Sequence, residues 1–122
     1  MNRSRRVVLA ALGAAVFLCR GTSRAQQGYP TKPVRLIVAW PPGSSADLSA
    51  RLLAQKLGDF MGQTFVVENR PGATGIVGTG VAAKATPDGY TLLFNTASHA
   101  SNKLLFDKLP YDPVADFAPV SM

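Results

Sequence analysis

The sequence predicts an α/β protein built on a mainly parallel sheet, and three observations carry that prediction. Short apolar runs closed by Pro and Gly alternate with stretches of helical periodicity. The runs are nearly continuous rather than alternating, as strands buried on both faces require. The segments between them are long enough for crossover helices, giving the order βαβαβ(α)β with right-handed crossovers and helices on both faces of the sheet.

Taken in order, Val34-Arg35-Leu36-Ile37-Val38-Ala39-Trp40 lies between Pro33 and Pro41-Pro42-Gly43 and reads as the first buried strand. Leu48, Leu52, Leu53, Leu57, Phe60 and Met61 then recur at helical spacing and predict a helix from Ser45 to Met61 with this apolar face inward and Gly62 as its stop. Ser44 stands three residues before Asp47, the S-x-x-D capping pattern, which lets both side chains take free N–H groups of the first turn. Thr64–Glu68 is the second strand, ended by Asn69-Arg70-Pro71-Gly72. Ile76–Ala85 predicts a small, close-packed helix weakened by Gly78 and Gly80. After the turn Pro87-Asp88-Gly89, Tyr90–Phe94 makes a third strand. A polar loop over 95–98, a short helix reaching Phe106 and a Pro-rich turn lead to a last strand beginning at Phe117.

Charge is unevenly placed. The 122 residues hold 13 Lys and Arg against 7 Asp and Glu, a formal net charge of +6. Arg3, Arg5, Arg6, Arg20 and Arg24 fall in the first 25 positions, which contain no acid, leaving eight basic and seven acidic residues, a net of +1, from residue 26 onward. A nucleic-acid-binding face needs clustered basic residues in the folded part, so no nucleic-acid partner is expected. The first 25 residues instead have the parts of a cleavable signal peptide: a positive start at 1–6, an apolar run Val7–Cys19 too short to span a bilayer, which needs about 20 residues, and Ser23-Arg24-Ala25 as the cleavage site. Arg5-Arg6 before Val7-Val8-Leu9 also fits a twin-arginine signal, so the export route is either Sec or twin-arginine. Cys19 is the only cysteine, and Leu18 stands where a lipid anchor needs a small residue. Cleavage after Ala25 therefore leaves a chain without disulfides, thiolate metal sites or a cysteine nucleophile.

Residues 26–122 suffice for one small domain. The sequence nevertheless stops at Phe117-Ala118-Pro119-Val120-Ser121-Met122, inside what reads as a beginning strand, and is expected to be a piece of something longer.

Ligands of open parallel sheets bind at the carboxyl ends of strands. The first such loop, Trp40–Asp47, offers Gly43 for close backbone approach, hydroxyls on Ser44 and Ser45, and the N–H groups of a helix N-terminus, which attract an anion without a cationic side chain. Taken alone, the same residues read as an ordinary capped turn before a ligand site. The loop after the third strand brings Thr96, Ser98 and Asn102, hydrogen-bonding groups suited to a carboxylate or amide, while His99, the only histidine, reads as a polar loop residue before a catalyst. Gly78-Thr79-Gly80-Val81-Ala82-Ala83 matches the dinucleotide pattern G-x-G-x-x-A but does not follow a strand directly, and no acid ends the next strand, so helix packing by small residues is the better account. No H-E-x-x-H or G-x-S-x-G occurs. Asp107, Asp112 and Asp116 lack the calcium-loop spacing and read as turn and cap residues.

Six strings in order carry a resemblance across the mature chain: Tyr29-Pro30-Thr31-Lys32-Pro33-Val34-Arg35-Leu36-Ile37-Val38; Pro41-Pro42-Gly43 leading to Asp47 and Ala50-Arg51-Leu52-Leu53-Ala54; Val67-Glu68-Asn69-Arg70-Pro71-Gly72-Ala73; Pro87-Asp88-Gly89-Tyr90-Thr91-Leu92-Leu93; Leu109-Pro110-Tyr111-Asp112-Pro113; and Asp116-Phe117-Ala118-Pro119-Val120. Together they resemble the Bug family, the periplasmic substrate-binding proteins of tripartite tricarboxylate transporters. The resemblance implies a type II periplasmic-binding-protein fold, with residues 26–122 as the first part of the N-terminal α/β lobe, truncated before the second lobe. It implies a non-enzymatic receptor without cofactor or metal, closing on a small carboxylate and delivering it to the membrane subunits of the transporter. Carried over by position, Pro42, Gly43, Ser44, Ser45 and Asp47 form the first binding loop, and Thr96, Ala97, Ser98 and His99 the second. The chain departs from the family in having Ser44, Ser45 and Thr74 where glycines are common, and Lys103 where Asn is often followed by Pro. With half a cleft, residues 26–122 are expected to bind weakly or undetectably. A fragment of an exported nucleotide-using α/β enzyme is the alternative, and it lacks both a phosphate loop and an acidic ribose partner.

Overall fold

A computed structural model of the protein describes residues 28–121. The signal peptide and the cleavage site expected over residues 1–25, with Cys19, lie outside the described residues. The described chain runs β1 (Val34–Val38), α1 (Ser45–Met61), β2 (Phe65–Asn69), a single 3-10 turn (Ala73–Gly75), α2 (Ile76–Ala83), β3 (Thr91–Phe94) and α3 (Ser98–Leu105). The three strands form one parallel sheet in the order β2-β1-β3. Val34 stands opposite Phe65, and Arg35 opposite Thr91.

The central strand is covered on both faces. Val34, Leu36 and Val38 pack with Ala50, Ala54 and Phe65 under α1. Ile37 and Ala39 point the other way and are equally buried. Each fully buried branched side chain contributes about 1.5–3 kcal/mol relative to exposure, so β1 is the anchor of the domain. On the second face α2 approaches Ala39 closely because Gly78 has no side chain: a Cβ there would lie 2.8 Å from the Ala39 Cα and 2.6 Å from the Arg70 carbonyl oxygen. That close approach is the use to which the G-x-G-x-x-A string is put, well inside a helix and away from a strand-end turn.

The ends of α1 fall where expected. Ser44 caps it, its hydroxyl accepting from the Asp47 N–H at 3.2 Å, and Gly62 closes it in the left-handed conformation (φ 69°). The capping is not reciprocal, however: Asp47 takes the N–H of Gly43, one residue further back than the capping pattern predicts. The buried face also differs from expectation. Ala46, Asp47, Ala50 and Ala54 face the sheet with Leu57 and Met61 half-buried, while Leu48, Leu52, Leu53 and Phe60 are exposed, Phe60 at 88%. Alanines let the helix sit close on β1, and the hydrogen bonds of Asp47 on that same side fix its rotation, so the larger leucines turn outward.

Two further expectations need correction. Helix α2 ends at Ala83 rather than Ala85. No strand begins at Phe117: residues 117–121 have no ladder partner among the described residues, and the Phe117 ring instead meets His99 and Tyr111 edge-on at 5.0 and 6.1 Å. Asp112 and Asp116 act as turn caps, as read: Asp112 accepts from the N–H groups of Val114 and Ala115, and Asp116 from that of Asp112.

Candidate functional site

The chain leaves β1 for β2 on one side and returns to β3 on the other, so the topological switch point lies at the carboxyl end of β1. In open parallel sheets that is where a crevice opens. The loops that flank it are 39–44, feeding α1, and 95–97, feeding α3, the two loops singled out from the sequence.

The first loop is held from within by Asp47, which is 2% exposed. Its Oδ2 accepts from the Gly43 N–H at 2.8 Å and the Arg51 Nε at 3.0 Å, and its Oδ1 from the Asn69 Nδ2 at 2.8 Å. Asn69 also donates to the Trp40 carbonyl at 3.0 Å and accepts from Arg51. The Arg51 guanidinium, then the Gly43 N–H and the Asn69 amide, hold the Asp47 carboxyl down to about 2. Asp47 is therefore an anion buried among donors that it fully uses. Ser44 is similarly occupied, its hydroxyl donating to the Pro41 carbonyl at 2.8 Å while accepting from Asp47. Pro42 and Gly43 form an exposed rim, with Gly43 at φ 80°. What remains for a ligand is the hydroxyl of exposed Ser45 and the first-turn N–H groups of Ser45 and Ala46, which have no hydrogen-bond partner among the described residues.

In the second loop the Thr96 N–H is bonded to its neighbour's Asn95 Oδ1 at 2.9 Å, and the hydroxyls of Thr96 and Ser98 lie 3.1 Å apart. Helix α3 has no side-chain cap, so the N–H groups of Ala97 and Ser98 also lack partners among the described residues. His99 turns elsewhere. Its Nε2 lies 2.9 Å from the Pro113 carbonyl and its ring stacks on Tyr111 at 6.3 Å, so it docks the 111–117 segment against α3. Asn102, read from sequence as a possible ligand group, is fully buried and donates to the Thr74 carbonyl at 3.2 Å. The Thr74 turn is strained: Ala73 and Thr74 both have positive φ, 46° and 51°.

The two loops touch through Trp40, whose Nε1 donates to the Asn95 Oδ1 at 3.2 Å. Trp40, Asn69, Arg51 and Asn95 were not identified from sequence. A polar residue closing each outer strand, Asn69 and Asn95, was the available signal. A shallow concavity of about 580 Å³ lined by Arg51, Ala54, Gly58, Gln63 and Phe65, among others, shares no residue with either loop.

The sequence profile described as "Tripartite tricarboxylate transporter family receptor" matches residues 49–122. Protein BugT of Bordetella pertussis is 47% identical over 96 residues, covering 77% of this chain and 29% of BugT. The structure of periplasmic binding protein BugD superposes with a TM-score of 0.72 at 38% identity, over 75% of this chain and 30% of BugD. MatC from Rhodopseudomonas palustris, solved with bound malate, gives 0.65 at 35% identity, over 75% of this chain and 32% of MatC. The chain thus spans about a third of the length of these relatives. None of these relatives supports the nucleotide-using alternative, and Gly78 is packed on Ala39 and Arg70 within α2, so the G-x-G-x-x-A string does not form a phosphate loop. The match over residues 49–122 and the shared parallel-sheet lobe place this chain in the tripartite tricarboxylate transporter receptor family.

Proposed function

We propose that this chain supplies the first half of a receptor site for a small carboxylate, exported to the periplasm by a cleavable signal peptide and serving the membrane subunits of a tripartite transporter without catalysing a reaction. One observation carries the reading: the N-termini of α1 and α3 follow the two loops that flank the switch point, and the N–H groups of Ser45, Ala46, Ala97 and Ser98 are unpartnered among the described residues. Such ends attract negative charge and donate directly to carboxylate oxygens. The malate bound by MatC supports a carboxylate as the ligand class. Pro42 and Gly43 then shape the rim, Thr96 and Ser98 add hydroxyls, and Asp47 and His99 act by holding the loops.

The test is an NMR titration of the ¹⁵N-labelled chain with malate, beside its uncharged diamide. The expected result is weak binding, in the millimolar range, with shifts confined to amides 43–46 and 96–98. Removing the Ser45 hydroxyl by Ser45→Ala weakens it a further ~5-fold. An equal response to the diamide, or shifts scattered over the surface, refutes the reading.

A further inference from the structure

We infer that Asn95 is a positioning residue that joins the β1–α1 and β3–α3 loops into one unit by holding the indole of Trp40. The inference rests on the carboxylate reading for what the loops hold, but the joint itself stands on the geometry of the chain.

The orientation of the Asn95 amide follows from a hydrogen-bond count. Thr79 is fully buried, and its single hydroxyl proton goes to the Gly75 carbonyl at 2.7 Å. Its oxygen can then only accept, so the Asn95 group facing it at 2.8 Å must be the Nδ2 donor. That leaves Oδ1 directed at the Trp40 Nε1, 3.2 Å away, with the Thr96 N–H at 2.9 Å and the Ser98 hydroxyl at 3.4 Å on the same oxygen. One side chain therefore connects the carboxyl ends of β1 and β3 with helix α2.

Neither end of the link is free to swing. The Asn95 amide is held at both ends, by Thr79 at Nδ2 and by Trp40 and Thr96 at Oδ1, and a Cβ on Gly75 would lie only 3.3 Å from that oxygen. Trp40 is pinned at its other end, where its carbonyl accepts from Asn69. A displacement of Thr96–Ser98 is passed through the Asn95 oxygen and the indole to residues 40–44, and the two sets of ligand donors keep a fixed separation.

Trp40 is the only tryptophan in the chain, so its Nε1–H gives a single indole signal in the NMR spectrum. Two variants of the full chain test the link, first without ligand. Trp40→Phe keeps an aromatic ring and removes the N–H; the amides of Thr96, Ala97 and Ser98 in the opposite loop are expected to shift. Asn95→Asp replaces the donor facing Thr79 by a second acceptor; the indole signal and the amides of Gly43 to Ala46 are expected to shift. With malate as the probe, each variant is expected to bind about 5–10-fold more weakly than the parent chain. Shifts confined to the substituted loop in both variants, or malate affinity unchanged in both, overturn the inference. A parent chain that responds equally to malate and its diamide refutes the carboxylate reading, while the ligand-free cross-loop shifts still decide the link, also where malate binding by the half cleft is too weak to detect. If Asn95→Asp does not fold, Trp40→Phe decides it.

Discussion

Gly78 and Gly80 lie two positions apart on α2, and adding a methyl group to each should move stability in opposite directions. At Gly78 the new Cβ would stand 2.6 Å from the Arg70 carbonyl oxygen, 2.8 Å from the Ala39 Cα and 3.1 Å from the Ala39 Cβ. The first two are backbone atoms, so relief requires the helix to lift off β1. Overpacking of this kind costs up to about 3 kcal/mol, against a gain of about 1 kcal/mol from replacing a helical glycine by alanine. Gly78→Ala should therefore destabilise the chain by about 2 kcal/mol, a fall in Tm of roughly 8–16 °C for a domain of this size. At Gly80 the nearest atoms are the Pro110 Cγ at 3.7 Å and the Tyr111 Cδ1 at 3.9 Å, ordinary contacts. There only the propensity gain remains, and Gly80→Ala should stabilise by about 0.5–1 kcal/mol. Urea unfolding of both variants beside the parent chain reads the difference directly. Equal effects of either sign would refute the claim that close contact of α2 with Ala39, rather than helix flexibility, explains the glycine at position 78.

Three other outcomes follow from the structure. Asp47 titrates at about 2 in the folded chain against its ordinary 3.8. The stability it contributes is thus present above pH ~4 and lost as pH falls toward 2, and Asp47→Asn should flatten that part of a stability-against-pH curve measured by urea unfolding. An acid limb unchanged by the substitution would show that Asp47 is not held as described; Asp112, depressed to a similar value, and Glu68 and Asp88, lowered by Arg35 and by the Tyr90 N–H, contribute to the remaining slope. Ala73→Gly should raise stability by up to about 1 kcal/mol by relieving an exposed positive-φ alanine, measured by thermal unfolding. On α1, Leu52→Lys should change stability by less than about 0.5 kcal/mol, whereas Ala50→Leu should cost about 1–3 kcal/mol; a reversed order in urea unfolding would restore the leucine face as the buried one.

Breakers and caps made the element order legible. Pro33, Pro41, Gly62 and Pro87-Asp88-Gly89 bracket segments whose type follows from periodicity alone, and α1 begins and ends where Ser44 and Gly62 place it. The buried face of α1 was misread because apolar spacing weighs side chains by size, whereas contact with a flat sheet favours the small ones, Ala46, Ala50 and Ala54. The positions of the loops after β1 and β3, the candidate site, were also legible, since strand ends are local features. The groups that tie them together were not. Asn69 and Asn95 look like ordinary strand-end polar residues until the order β2-β1-β3 sets them on either side of Trp40. Likewise Asp47 and His99 could be assigned to loops, but only three dimensions show that one looks inward to Arg51 and Asn69 and the other to Pro113.

The position of β1 at the middle of the sheet also sets a timetable for synthesis. Residue 34 must wait for residue 65 and residue 35 for residue 66 before the first ladder can form, and the second ladder waits for residue 91. No strand pair can close while the ribosome is still working through α1, and the most apolar strand of the sheet travels longest without a partner. Contacts so far apart in the chain form slowly because a long loop must be closed before any of them is gained. A nascent chain arranged in this way stays open and threadable at least until β2 has been made.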